Sequence, residues 1–221
     1  MFISPQNGFI DKHIFLYGTY EPHILDVIAT YLKPGGIFVD VGANIGQHSM
    51  FAASIVGNKG RVYSFEPIPY IYKQLIESVK INHFESIIEA YPFALGSENK
   101  TESLYVETNN VGGSSIVGPH GDANKKIQVE IKRGDDTLAL LPRLTLIKID
   151  VEGYEYEVLA GMEKTLRQHL PVIVLEFSGQ LYLQKGNNEG DKIISLLQSI
   201  GYDLYDIEDY MKKIVSKMVF L

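Results

Sequence analysis

Short apolar runs alternate along this chain with longer stretches whose apolar residues return every three or four positions. From Pro22 to Leu32 the residues Ile24, Ile28 and Leu32 recur every four, which predicts a helix, and Pro34-Gly35-Gly36 stops it. Ile37–Val41 follows as a strand, apolar enough to be covered on both faces as in a parallel sheet. A helix over 46–56 is closed by Gly57. Arg61–Phe65 reads as a second strand, and Ile71, Leu75 and Val79 place a helix over 69–80. Residues 87–91, 144–150 and 172–177 are the third, fourth and fifth strands. Between the last two, Tyr154, Val158, Met162 and Leu166 recur at helical spacing. Short helices are predicted at 135–141 and at 190–200, the latter closed by Gly201, and 203–207 with 214–220 form a terminal pair of strands. Strands alternating with helices predict a doubly wound α/β sheet.

Two regions break the rhythm. Residues 1–20 are mixed and show no clear period. Residues 97–133 are polar, with alternating segments at 102–106 and 127–131 suited to an antiparallel pair. The chain is therefore expected to form one domain over 1–221, with 1–35 as an N-terminal cap segment and 97–133 as an insertion near the site. With 221 residues, 45% of them hydrophobic, it can bury a large core. A net charge of −7 argues against a nucleic-acid backbone as the main partner. The absence of cysteine excludes disulfides, Cys-ligated zinc and a thiol nucleophile, and fits a reducing, cytoplasmic setting. The first residues lack the basic start and apolar run of a signal peptide, and no apolar run approaches a membrane span. The expected partner is a small molecule, with no membrane involved.

The candidate chemistry begins at Asp40-Val41-Gly42-Ala43-Asn44-Ile45-Gly46, directly behind the first strand. A strand ending in an acid and breaking into a Gly-x-Asn-x-Gly turn is a nucleotide-loop pattern, because residues without a Cβ let a ligand approach the backbone. The dinucleotide fingerprint G-x-G-x-x-G fails at Asn44 and Gln47, which weighs against a nucleotide-dependent oxidoreductase, the alternative reading. Ligands of doubly wound sheets bind outside the carboxyl ends of the strands. Those ends carry Asp40, Glu66, Asp150 and Glu176, a set suited to a cationic or hydroxyl-rich ligand. Asp150, Glu152, His48 and His120 are candidate bases. Asp150 and Glu152 point to one side if the chain is extended there. Asp150, Glu152 and Glu176 are hard oxygen donors, so a divalent metal is left open, while no zinc-type spacing is present.

Three motifs resemble the FkbM-like family of S-adenosylmethionine-dependent methyltransferases. Val39-Asp40-Val41-Gly42-Ala43-Asn44-Ile45-Gly46 is similar to the family's glycine turn, and Val62-Tyr63-Ser64-Phe65-Glu66-Pro67 to its second motif. Leu146-Ile147-Lys148-Ile149-Asp150-Val151-Glu152-Gly153-Tyr154-Glu155, running on to Gly161, resembles its longest and most specific motif. Tyr20-Glu21 and Phe93-Ala94-Leu95-Gly96 resemble weaker ones, and the likeness covers residues 17–180. One departure is Gly134, before Asp135-Asp136, where the family usually has a hydrophobic residue. The resemblance implies a mostly parallel, seven-stranded Rossmann-like sheet with an antiparallel terminal strand. It implies S-adenosylmethionine as cofactor and O-methylation of a small-molecule or sugar hydroxyl. Glu66, with Pro67 beside it, would meet the ribose hydroxyls. Gly42, Ala43, Asn44 and Gly46 would line the methionine portion, Asp40 would organise the loop, and Ala94 would form the adenine wall. Asp150 and Glu152 would act on the acceptor. A non-catalytic S-adenosylmethionine-binding protein is a further alternative, disfavoured by the intact acids.

Overall fold

A computed structural model of the chain describes residues 1–3, 8–107, 113–116, 118, 123–176, 188–205, 207 and 218–220. Two helices, α1 (Phe9–Tyr17) and α2 (Pro22–Tyr31), lead into β1 (Ile37–Val41) and α3 (Gln47–Val56). β2 (Arg61–Phe65), α4 (Pro69–Ile81) and β3 (Ile88–Tyr91) continue the alternation. Three strands follow, β4 (Ala94–Gly96), β5 (Lys100–Glu107) and β6 (Ala123–Arg133), then the short α5 (Gly134–Thr137). The pattern resumes with β7 (Leu146–Ile149), α6 (Glu155–Gly161), α7 (Glu163–His169), β8 (Val172–Leu175), α8 (Glu189–Ile200), β9 (Asp203–Tyr205) and β10 (Met218–Phe220).

The main sheet has seven strands in the order β3-β2-β1-β7-β8-β10-β9. Helices cover both faces, which is why β1 is buried at every position. Its alternate side chains feed two cores. Val39 and Val41 pack with Val158 and Leu159 of α6, Leu166 of α7 and Ile193 and Leu197 of α8. Phe38 packs with Ile28 of α2, Ala52 and Ala53 of α3 and Leu75 of α4. A third cluster joins Ile14 of α1 and Ile45 to Ile68, Ile71, Leu104 and Val129. It seats α1 and the β5–β6 pair over the carboxyl ends of the main strands. β5 and β6 pair antiparallel from Lys100↔Ile131 to Glu107↔Ala123, and β4 lies beside β6 in parallel.

The elements differ from the sequence expectation in four places. The terminal strand is the first: β10 runs parallel to both β8 and β9, not antiparallel. The twelve positions from 206 to 217 separate β9 from β10, enough chain for a parallel return, whereas an antiparallel hairpin closes with a few residues. Second, the helix expected through 154–166 is broken at Met162 (φ −112°, ψ 10°) into α6 and α7. Third, α5 ends at Thr137 and does not reach 141. Fourth, residues 9–17 are helical although no period announces it. Only Asp11 and Ile14 of α1 are buried, so no apolar stripe repeats. Gly134 has a packing reason, since a Cβ there would stand 2.3 Å from Met162 Cγ. Asp135 beside it accepts hydrogen bonds from the Thr165 backbone N–H (2.9 Å) and hydroxyl (3.0 Å), which pins α5 to α7. No helix among the described residues is long and apolar enough to cross a membrane.

Candidate active site

The glycine turn, the ends of β2 and β7 and the small sheet enclose a crevice of about 870 Å³, counted out to its open mouth. Its walls include Gly42, Asn44, Glu66, Pro67, Ala94, Asp150, Glu152 and Glu176, all among the residues the sequence singled out. Ala43 lines an adjoining chamber with Tyr20, Glu21, His48 and Lys148. Asp40 and Gly46 line neither space and stand behind the wall. His120 lies outside the described residues.

β1 and β7 are neighbours, and their ends meet at the floor. The Asp150 N–H donates to the Val41 carbonyl (3.1 Å). Gly42 follows with φ 79°, and a Cβ there would fall 1.8 Å from the Asp150 carbonyl oxygen, so glycine is required on both counts. Asn44 takes a left-handed φ of 50°, and its side-chain oxygen accepts from the Ile45 N–H (2.8 Å).

Glu66 is 5% exposed. Its Oε2 accepts from the Asn44 N–H (3.0 Å) and its Oε1 from the Ile68 N–H (2.8 Å), so it joins the glycine turn to the start of α4. Each oxygen keeps acceptor capacity toward the crevice. Burial outweighs those two bonds and pushes its pKa up to about 7.

Asp40 sits wholly buried between Ser64 and Lys148 in the strand register. Its Oδ2 accepts from the Ser49 hydroxyl (2.6 Å), which ties β1 to the first turns of α3. Lys148 is the buried cation at the centre. Its Nζ donates to Asp150 Oδ2 (2.8 Å) and to the Gly42 carbonyl (3.3 Å), and lies 4.0 Å from Asp40 Oδ1. Burial alone would lower its pKa, but Asp150 and Asp40 outweigh that and raise it. The sequence reading passed over Lys148; the signal was a lysine two positions before Asp150 inside an otherwise apolar strand.

Glu152 and Gly153 both have positive φ, 52° and 91°, so the chain turns sharply here and is not extended. Glu152 still reaches the crevice. Its carbonyl accepts from the Ser115 hydroxyl (2.6 Å), which links β7's end to the insertion. The turn itself is held by the Glu155 carboxylate on the Gly153 N–H (2.9 Å), so Glu152 is not used as a cap. Burial, then the nearby charges of Asp150, Glu155 and Glu107, raises the Glu152 pKa to about 7. Glu176 faces Asp150 and hydrogen-bonds it; the Asp150 charge and burial hold its carboxyl well above the ordinary range.

The N-terminal segment completes the wall through Ile10 and Tyr20. The Tyr20 N–H donates to Gln47 Oε1 (2.6 Å) and Gln47 Nε2 donates to the Tyr20 carbonyl (2.5 Å), a two-point clamp onto α3. His48 is buried 3.8 Å from Glu21, and burial holds its pKa well below the ordinary value, so it is neutral. Among the described residues no group of three His, Cys, Asp or Glu side chains is placed to hold a metal ion.

Comparison with known proteins shows the family of the chain. Methyltransferase sdnD of Sordaria araneosa is 27% identical over 228 residues, covering 89% of this chain and 82% of that protein. Hexuronic acid methyltransferase AglP of Haloferax volcanii is 27% identical over 158 residues, covering 70% of this chain and 61% of AglP. In architecture the chain resembles the precorrin 8w decarboxylase of Methanobacterium thermoautotrophicum (TM-score 0.51, 12% identity, 91% of this chain and 78% of that one), a likeness of fold alone. The model of the Methyltransferase FkbM domain matches residues 40–204, from the glycine turn through β9, and displaces the oxidoreductase alternative. The chain belongs to the FkbM methyltransferase family and is an S-adenosylmethionine-dependent methyltransferase.

Proposed function

We propose that the crevice binds S-adenosylmethionine and that the protein methylates a hydroxyl group of a small molecule or sugar. The observation that carries the reading is the placement of Glu152, a carboxyl with a pKa of about 7, in the same crevice as the glycine turn and Glu66. A general base works best when its pKa is close to the working pH. Glu66, beside Pro67, offers its free acceptor capacity to the ribose hydroxyls. Gly42, Ala43 and Asn44 offer backbone to the methionine portion, with Asp40 and Gly46 holding that turn from behind. Ala94 and Ile68 give the adenine an apolar wall. Bound there, the cofactor supplies an electrophilic methyl group on a sulfonium.

The chain's own residues then handle the acceptor. Glu152 would take the acceptor's hydroxyl proton, while the cofactor, held by Glu66 and the glycine turn, would supply the methyl group and leave as S-adenosylhomocysteine once its carbon–sulfur bond breaks. Asp150, ion-paired with Lys148, supplies the charge that makes Glu152 a stronger base. Asp150 is itself held by Lys148 and Glu176. Residues 1–35 act as a cap and 97–133 as an insertion that shapes the acceptor end, within one domain; Ile10, Tyr20, Leu104 and Ile116 on the walls support this. AglP, named for a hexuronic acid, supports a sugar-like acceptor. A cytoplasmic location rests on the cysteine-free composition.

Calorimetric titration tests the reading. S-adenosylhomocysteine should bind in the micromolar range and NAD should not bind measurably. Tighter binding of NAD than of S-adenosylhomocysteine would sink it.

A further inference from the structure

At the opposite end of the main sheet, where β1, β2 and β7 begin, lies a second and larger cavity. It measures about 1190 Å³, counted as for the crevice. Lys33, Lys59, Arg61 and Arg143 all line it, and no Asp or Glu does. In a chain of net charge −7 that is a marked local reversal. Among the described residues none of these four cations has an ion-pair partner, whereas Lys80, Lys100, Lys132 and Arg167 elsewhere on the surface are paired.

The cations stand on a fixed frame. The Gly35 N–H donates to the Val56 carbonyl (2.8 Å) and the Arg61 N–H to the Gly36 carbonyl (3.2 Å), which stitches the loop of Lys33 to the loop of Lys59. The Thr145 N–H donates to the Ile37 carbonyl (3.0 Å), and the Ile37 N–H returns to the Thr145 hydroxyl (3.2 Å), which fixes the segment of Arg143. Arg61 is itself held by the Gly60 carbonyl (2.7 Å), leaving further guanidinium donors for a ligand. Glu89 sits opposite Tyr63 in the strand register, but it accepts from the Tyr91 hydroxyl (2.8 Å) and does not line the cavity.

We propose that this cavity is a second binding site, separate from the methyl-transfer crevice, for a small molecule carrying a diphosphate or similarly dense anionic group. Several unpaired cations converging in one concavity match such a group, because arginine binds phosphate oxygens in pairs and lysine adds point charge. The volume exceeds what a single phosphate fills, and the overall negative charge of the chain disfavours a polyanionic macromolecule.

Titration at low ionic strength with inorganic pyrophosphate and with ADP, followed by amide chemical shifts, tests the site. Saturable shifts should map to 31–37, 57–63 and 142–145 and weaken with salt. Equal affinities mean that the diphosphate alone is read, and tighter ADP means that the nucleoside contributes; either result supports the site. The exposed-residue variants Lys59→Gln and Arg143→Gln should each weaken binding by about tenfold and leave S-adenosylhomocysteine affinity unchanged. Absence of saturation at millimolar pyrophosphate and ADP, binding indifferent to both substitutions, or displacement of the anion by S-adenosylhomocysteine overturns the proposal. None of these failures bears on the methyltransferase reading.

Discussion

Glu66 ties two loops together while facing the crevice, and burial leaves it half protonated near neutral pH. Hydroxyl donors favour its ionised form, so cofactor binding should release a proton. S-adenosylhomocysteine affinity is therefore expected to rise as pH rises through about 7. The substitution Glu66→Gln puts an amide N–H₂ where a backbone N–H now donates. It should cost at least tenfold in affinity, about 1.4 kcal/mol, and flatten the pH dependence; an unchanged pH profile would reduce Glu66 to a loop tie. For Glu152 the sign is the same but the readout is turnover. Turnover should climb with pH through about 7, and Glu152→Gln should lower it by about 10²-fold with little effect on S-adenosylhomocysteine affinity. Normal turnover in that variant would leave the proton to another group. Most of these residues were legible in the sequence because each motif ends a strand, where the sheet sends its ligand groups. Lys148 was passed over: its place two positions before Asp150 was a local signal, but its approach to Asp40 is set by cross-strand register.

Pieces of secondary structure meet at close backbone contacts. Gly161 ends α6 against β4: a Cβ there would stand 1.8 Å from the Gly96 carbonyl oxygen and 3.0 Å from Ser97 Cα. Gly161→Ala must push α6 and β4 apart, and with them Tyr154 and Ala94 of the crevice wall. The expected loss is about 1–3 kcal/mol of stability, read by urea denaturation; wild-type stability would show that the contact relaxes freely. Helical spacing through 154–166 carried no sign of the break at Met162, because Met162 is itself fully buried and keeps the apolar rhythm. Strand and helix positions in the doubly wound part were otherwise readable, since the central strands β1, β7 and β8 are covered on both faces and α2, α4 and α8 each bury an apolar stripe. The first helix was not, because it rests on the protein mainly through Ile14 and the Asp11–Gln74 hydrogen bond.

For the molecule as a whole, the carboxyls of the crevice impose a pH dependence on folding. Glu66 and Glu152 titrate near 7 when folded, against an ordinary value of 4.5. Between those values the folded state keeps protons that the unfolded chain has lost, so their contribution to stability falls as pH rises through that window. Glu176 acts in the same direction. Urea denaturation of the ligand-free protein across this range should show a shallower decline in Glu152→Gln than in wild type; an equal or steeper decline would contradict the assignment. The order of the sheet was legible only in part, because the direction of β10 depends on where a twelve-residue return delivers the chain. That strand lies between β8 and β9, and β9 touches the sheet through β10 alone. During synthesis β9 therefore emerges with no edge to join. Its backbone donors must wait, solvated, until the later segment has threaded into place. Six strands can assemble in the order in which the ribosome delivers a neighbour for each, and the seventh is admitted only by a segment made after it.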